Sequence, residues 1–342
     1  MLKNSLIILI FLAVTACIKD KPNTTVGPAV QLSSSKKVYV INEGGFNNSN
    51  ASVSLYDPET AVVIEDFYKS QNNLNLGDIA QSITSFNSDL YIVVNNSGKI
   101  VVCDDQFKYK TTINTFSSPR YLLPVSNSKA YVSDLFSNTI GVLNLNTNTF
   151  TASIPCPGWT EKMVLIYNKV FVTNMKRNFV YVINAINDTK TDSIDVGPSA
   201  GNILLDKNDN VWVLSGGTSS LSINATLKKI DPVTNSVTAT FTFANGEAPG
   251  SLCFNKTKDT LYFINNGIYR FPVSDNLLPQ TPFIPANNRN FYGLGFNTDN
   301  YTLYAADALD YVQKSNIYIY DTKGNQLSFF KAGIISNGFY FE

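Results

Sequence analysis

The chain has 342 residues, carries 26 basic and 26 acidic side chains, and contains no histidine. Zero net charge gives no basic field for nucleic acid, and the missing histidines exclude a Ser-His-Asp relay and imidazole-ligated metal. The length suits one large domain or two small ones.

The first element is a leader. Lys3 precedes an apolar run from Leu6 to Val14, too short to span a bilayer as a mature helix. Val14-Thr15-Ala16-Cys17 follows. The arrangement resembles a bacterial lipoprotein signal, in which cleavage before the cysteine leaves a diacylglyceryl group on its sulfur. An ordinary signal peptide with a chance cysteine is the alternative. On the lipoprotein reading residues 1–16 are a signal peptide, Cys17 is the lipidation site, and residues 17–36 are a lipidated flexible tether, too poor in apolar residues to bury a core. Acyl chains contribute about 0.8 kcal/mol per buried methylene, which makes the anchor firm once several are attached. Lys19-Asp20-Lys21 faintly resembles the charged export tags of Bacteroidota surface lipoproteins. The implied location is the outer membrane, at the cell surface, with membrane contact through the lipid alone.

From Val38 onward one motif recurs, a strand-like run opening on an aromatic residue: VYVIN, LYIVV, AYVSD, VFVTN, VWVLS, LYFIN and LYAAD. Its aromatics are Tyr39, Tyr91, Tyr131, Phe171, Trp212, Tyr262 and Tyr304, spaced 52, 40, 40, 41, 50 and 42 residues apart. A second strand-like motif follows each (VSLYD, IVVCD, IGVLN, VYVIN, LKKID, IYRFP, IYIYD), most ending in a polar turn. A third run follows, and a fourth precedes the next aromatic strand. Four-stranded units near 40 residues are the signature of a propeller blade. Residues 37–342 are therefore expected to form an all-β, seven-bladed β-propeller, with a long array of sandwiches as the alternative. The chain enters at an aromatic second strand and finishes on NGFYFE, which reads as a lone innermost strand. Gly338 to Phe341 would then complete the blade begun by Val38 to Tyr68 and close the ring.

The repeats VYVIN…VSLYDPET resemble YncE-like propellers. VINEGGFNNSNASVSLYDPET near the start, with NGFYF at the end, is similar to Bacteroidota surface lipoproteins built on that propeller. The BtuG-type branch of that group captures cobalamin and passes it to an outer-membrane transporter. The resemblance implies a small-molecule ligand, a cobamide being the best single candidate, and a TonB-dependent outer-membrane transporter as partner. It implies no catalysis and no cofactor.

In a propeller the loops joining second to third strands share one face with the loops joining successive blades, and that face surrounds the channel mouth. The first set is long in blades one, five and seven: NEGGFNNSNAS, SGGTSSLSINAT and DALDYVQKSN. It offers Phe46, Lys176, Arg177 and Tyr311 as ligand-binding candidates. The second set offers Arg120, Trp159, Glu161, Lys162, Glu247, Arg289, Phe291 and Tyr292. Aromatic and cationic side chains together suit a flat polar ligand, through stacking and charge-assisted hydrogen bonds. Trp159 is the most pointed of these, a large aromatic in a Pro/Gly loop, although plugging the channel would also explain it.

No metal site is expected: DKNDN at Asp206–Asn210 alternates ligand-type residues but lacks the glycine and distal glutamate of a calcium loop, and reads as a hairpin turn. Cys103, Cys156 and Cys253 admit at most one disulfide and read as small buried apolar residues. The leading expectation is a non-enzymatic binding protein. A protein- or glycan-binding adhesin using the same face is the alternative. A hydrolase or lyase would need carboxylates of perturbed acidity around the channel.

Overall fold

The computed structural model describes residues 32–342; the leader, Cys17 and the tether as far as residue 31 lie outside the described residues. Seven four-stranded antiparallel sheets form the blades of a propeller. In blade four the strands run, from the axis outward, Thr160–Ile166, Lys169–Asn174, Phe179–Asn184 and Thr189–Asp195.

The second strands carry the continuous apolar runs because blades cover both of their faces. All seven recurring aromatics are buried there. The core is thus a set of packed layers between neighbouring blades. Tyr131, Ile140 and Val142 of blade three meet Val170, Val172 and Tyr181 of blade four. Trp212, Leu214 and Leu227 of blade five meet Leu261, Phe263 and Phe271 of blade six. Each fully buried aliphatic or aromatic side chain contributes roughly 1.5–3 kcal/mol, so every blade depends on both neighbours. Outer strands are more exposed, and Thr149–Pro155 buries little besides Ile154.

Turns link the blades on the face away from the mouth. Lys129 Nζ reaches the next blade's outer turn at Ala185 O (2.8 Å) and Asp188 Oδ1 (2.6 Å). Lys169 repeats this on Pro232 O and Val233 O. The Asp206–Asn210 segment is a hairpin turn, as expected. The Asp206 carboxylate accepts from the backbone N–H groups of Asn208 and Asn210 and from Trp212 Nε1.

Blade one departs from the pattern. Its outer strand is only Val63–Ile64, and a helix, Phe67–Asn72, lies over the edge where more strand was expected. Asp66 caps this helix by accepting from Lys69 N, and Phe67 packs on Tyr39 and Phe107.

Closure follows the expected route. Ser336–Phe341 pairs antiparallel with Val38–Asn42, setting Tyr39 opposite Tyr340 and Val40 opposite Phe339. Asn42, fully buried, fastens the joint. Its Oδ1 accepts from Gly333 N (3.1 Å) and Ser336 Oγ (2.7 Å), while its Nδ2 donates to Ser52 Oγ and Ser54 Oγ. The closing strand lies so near blade seven that a Cβ on Gly293 would sit 2.7 Å from the Asn337 carbonyl carbon, which is why that position has no side chain. On the opposite face Lys37 pairs with the buried Asp57 at 3.3 Å. Burial opposes ionisation of Asp57, but hydrogen bonds from Ser33, Glu59 and Thr60 hold its carboxyl well below the usual carboxylate range.

Candidate functional site

Each innermost strand breaks register at one level. Opposite the second strand, pairing skips Gln81, Arg120-Tyr121, Glu161-Lys162, Gly201, Ser251, Tyr292 and Asn337 in turn. These are β-bulges, which leave one residue unpaired and re-aim its side chain. Repeated around the ring, they place one layer of side chains at the channel mouth. A cavity of about 310 Å³ results, lined by those residues together with Glu43, Trp159, Met175 and Asn202.

The lining is linked from blade to blade. Gln81 Nε2 donates to Tyr121 OH at 3.0 Å, and Arg120 Nε donates to Glu161 Oε1 at 2.8 Å. Trp159 Nε1 also donates to Glu161 Oε1, with the Arg120 guanidinium 5.6 Å from its ring. Lys162 Nζ donates to Asn202 Oδ1 at 2.7 Å and lies 5.8 Å from the Tyr121 ring. Across the mouth, Glu43 Oε1 accepts from Tyr292 OH (3.2 Å) and Asn337 Nδ2 (3.0 Å). Among the described residues Gln81 Oε1 and Asn337 Oδ1 are buried without a protein partner, an arrangement that costs about 1–3 kcal/mol per group unless something else supplies a donor.

Burial sets the acidities. It pushes the Glu161 carboxyl up against the pull of Arg120, and pushes Glu43 up against the hydrogen bonds from Asn337 and Tyr292. It pushes the Lys162 ammonium down, against the attraction of Glu161. Among the described residues no group of three or more acidic or cysteine side chains could hold a metal.

Backbone strain gathers at the same level. Ile79 and Ile335, each one residue before an inner strand, adopt φ of 62° and 53°, a region costly for β-branched side chains. They flank the part of the wall where Gln81 and Asn337 leave oxygens unpartnered.

Of the candidates read from sequence, Arg120, Trp159, Glu161, Lys162 and Tyr292 come together in the cavity. Tyr311 stands edge-on to Tyr292 at the rim, ring centroids 5.7 Å apart. Lys176 and Arg177 are exposed in the blade-four turn that Asn174 Oδ1 holds. Phe46 is 67 % exposed at a loop tip and lines nothing. The structure sets three others apart from the cavity. Glu247 closes its own turn by accepting from Ala244 N and Asn265 Nδ2. Arg289 lies over Tyr318 at 4.2 Å and donates to Gln326. Phe291 is buried against the same tyrosine. Sequence reasoning missed Glu43, Gln81, Tyr121, Asn202, Ser251 and Asn337. In six blades the first bulge residue falls ten to twelve positions before the second-strand aromatic, from Gln81 before Tyr91 to Tyr292 before Tyr304, and that offset was a usable signal. Among the described residues Cys103, Cys156 and Cys253 are free thiols, and burial pushes each up to about 12.

The chain belongs to the family described as Domain of unknown function (DUF5074), which matches residues 36–341. Among curated proteins none matches the sequence. Solved structures with the same fold include a quinonprotein alcohol dehydrogenase-like protein from Bacteroides thetaiotaomicron. It is 17 % identical, at a TM-score of 0.73 over 90 % of this chain and 78 % of the other. A Lactobacillus plantarum protein is 12 % identical (TM-score 0.67, 90 % and 99 % covered). The periplasmic gluconolactonase PpgL of Pseudomonas aeruginosa is 11 % identical (TM-score 0.67, 89 % and 99 %). Likeness at these identities establishes the propeller and nothing finer.

Proposed function

We propose that this member of the DUF5074 family is a binding propeller that captures a small polar ligand at the channel mouth. The observation that carries the reading is the ring of seven bulges. It builds a cavity of about 310 Å³, at the small end of the range for ligand sites, and leaves buried amide oxygens there without partners. In its fuller form the protein is a lipid-anchored surface protein, held through Cys17, that hands its ligand to a TonB-dependent outer-membrane transporter. A YncE-like or BtuG-type relationship would make the ligand a cobamide. A corrinoid is too large for the cavity and would rest on the rim near Tyr292 and Tyr311 with one substituent inserted.

Calorimetric titration with cyanocobalamin tests the cobamide form, which no heat of binding at about 10 µM protein would overturn. The channel reading requires that any ligand found lose affinity in Trp159→Ala and Arg120→Met. Undiminished binding in both variants would refute it.

Two other readings draw on particular observations. Phe46, Phe136, Leu221 and Val312 protrude from second-to-third-strand connections of blades one, three, five and seven, as an adhesin's contact surface would require. A protein partner held there would survive Trp159→Ala. The shifted acidities of Glu43, Glu161 and Lys162 are what a hydrolase or lyase would use. Glu161, however, is engaged by Arg120 and Trp159. Mass spectrometry separates binding from turnover: ligand recovered unchanged after long incubation favours capture, whereas conversion lost in Glu43→Gln favours catalysis.

A further inference from the structure

The charges of the mouth are unevenly satisfied, and their imbalance specifies a ligand class if the mouth is the ligand site proposed for it. Four ionisable groups of formal charge line it: Glu43, Arg120, Glu161 and Lys162. Arg120 and Glu161 form the only ion pair inside the channel among the described residues. That leaves Glu43 and Lys162 without ionic partners. Glu43 enters from blade one and Lys162 from blade four, three steps apart and as widely separated as a ring of seven allows.

The two walls differ in kind. Around Glu43 the free valences are acceptors. Only Oε1 of its carboxylate is engaged, and the unpartnered oxygens of Gln81 and Asn337 belong to blades two and one. Gln81 is 7 % exposed, so bulk water does not serve it. Around Lys162 the free valences are donors. One of three ammonium protons goes to Asn202, and Arg120 commits only Nε, so its terminal nitrogens have no hydrogen-bond acceptor among the described residues. Half-buried charges of this kind are costly until an opposite charge meets each. A ligand with a single charge would relieve one wall and leave the other.

We propose that the channel mouth binds a zwitterion, with its ammonium group held by Glu43, Gln81 and Asn337 and its carboxylate held by Lys162 and Arg120, the class that includes amino acids and short peptides. An ammonium has three donors and no acceptor, which matches the first wall; a carboxylate accepts along several directions, which matches the second. Burial raises the Glu43 carboxyl despite the pull of Asn337, Tyr292 and Arg120, and lowers the Lys162 ammonium despite the pull of Glu161.

Calorimetry with ω-amino acids from glycine to 8-aminooctanoate, and with diglycine and triglycine, tests this on the wild-type protein. One length should bind best, and the alkylamine and the carboxylate of matching length should each bind at least tenfold more weakly. Glu43→Gln, which keeps the side-chain shape, should weaken the zwitterion about tenfold or more and leave the carboxylate unchanged. Lys162→Met should do the reverse, sparing the alkylamine. Urea midpoints of both variants check that they are folded, and the comparison with single-charge analogues stands without them. Binding of a single-charge analogue as tight as the zwitterion, or no binding by any member of the series, overturns the inference. If another ligand still binds and loses affinity in Trp159→Ala, the channel site itself survives that failure.

Discussion

Asn42→Ala attacks the joint that turns a chain of blades into a ring. The native amide accepts from Gly333 N at 3.1 Å and Ser336 Oγ at 2.7 Å, the first from blade seven's outer strand and the second from the closing strand. Removing it strands two donors. The Ser336 hydroxyl is fully buried, and the space beside Gly333 is filled by the Asn42 amide itself. At about 1–3 kcal/mol per buried group left unpaired, the expected loss for the two is roughly 2–6 kcal/mol. That is a large part of the 5–15 kcal/mol typical of a folded domain. Urea unfolding should show a lower midpoint with an unchanged slope, because the surface exposed on unfolding is the same. Asn187→Ala, at an exposed outer turn, should shift stability by less than about 0.5 kcal/mol. A loss below about 1 kcal/mol for Asn42→Ala would show that closure does not depend on this amide and would refute the argument.

Gly293→Ala should cost about 1–3 kcal/mol by overpacking, since its new methyl would meet the closing strand's backbone; thermal unfolding measures it. Arg120→Met leaves the buried Glu161 carboxyl without its cation and should destabilise by about 3 kcal/mol, whereas Arg120→Met with Glu161→Gln should recover much of that loss; a double-mutant cycle in urea reads the difference. Acid stability should follow Asp57. Its carboxyl is held below the ordinary value of about 4, so its contribution is complete above pH 4 and declines as pH falls toward the folded-state value. Asp57→Asn should flatten the stability profile in that window, and an unchanged acid limb would count against the assignment.

The fold was legible because the second strands are buried on both faces, so their apolar runs and aromatics recur without the polar alternation that obscures other strands. Closure was legible for a related reason. NGFYFE has no partner of its own, and the unit opening at Val38 lacks an inner strand. The site was legible only in part. Arg120, Trp159, Glu161 and Lys162 stood out as large polar or aromatic residues beside Pro or Gly. Gln81, Ser251 and Asn337 are ordinary in sequence and acquire their position from a bulge, which a strand pattern does not announce. The first loop shows the limit most plainly. Phe46 drew attention as its aromatic residue, yet Gly44 at φ 79° and Asn47 at φ 63° turn the tip outward. The residue that reaches the channel is Glu43, where the backbone is still tied to Ile335 O. Arg289 looked like a mouth cation, but Asn287 and Asn288, at φ 49° and 65°, lead the chain to where it packs on Tyr318.

The two tryptophans allow the central claim to be measured without mutation. Trp212 is fully buried in the core, whereas Trp159 lies at the mouth, so acrylamide should quench mainly Trp159. Stern–Volmer curves recorded with and without a saturating concentration of the tightest-binding zwitterion report directly on occupancy of the cavity. With the cavity occupied, the quenchable fraction of the emission should become largely protected. Calorimetric binding that leaves the quenching curve unchanged would place the ligand elsewhere and contradict it.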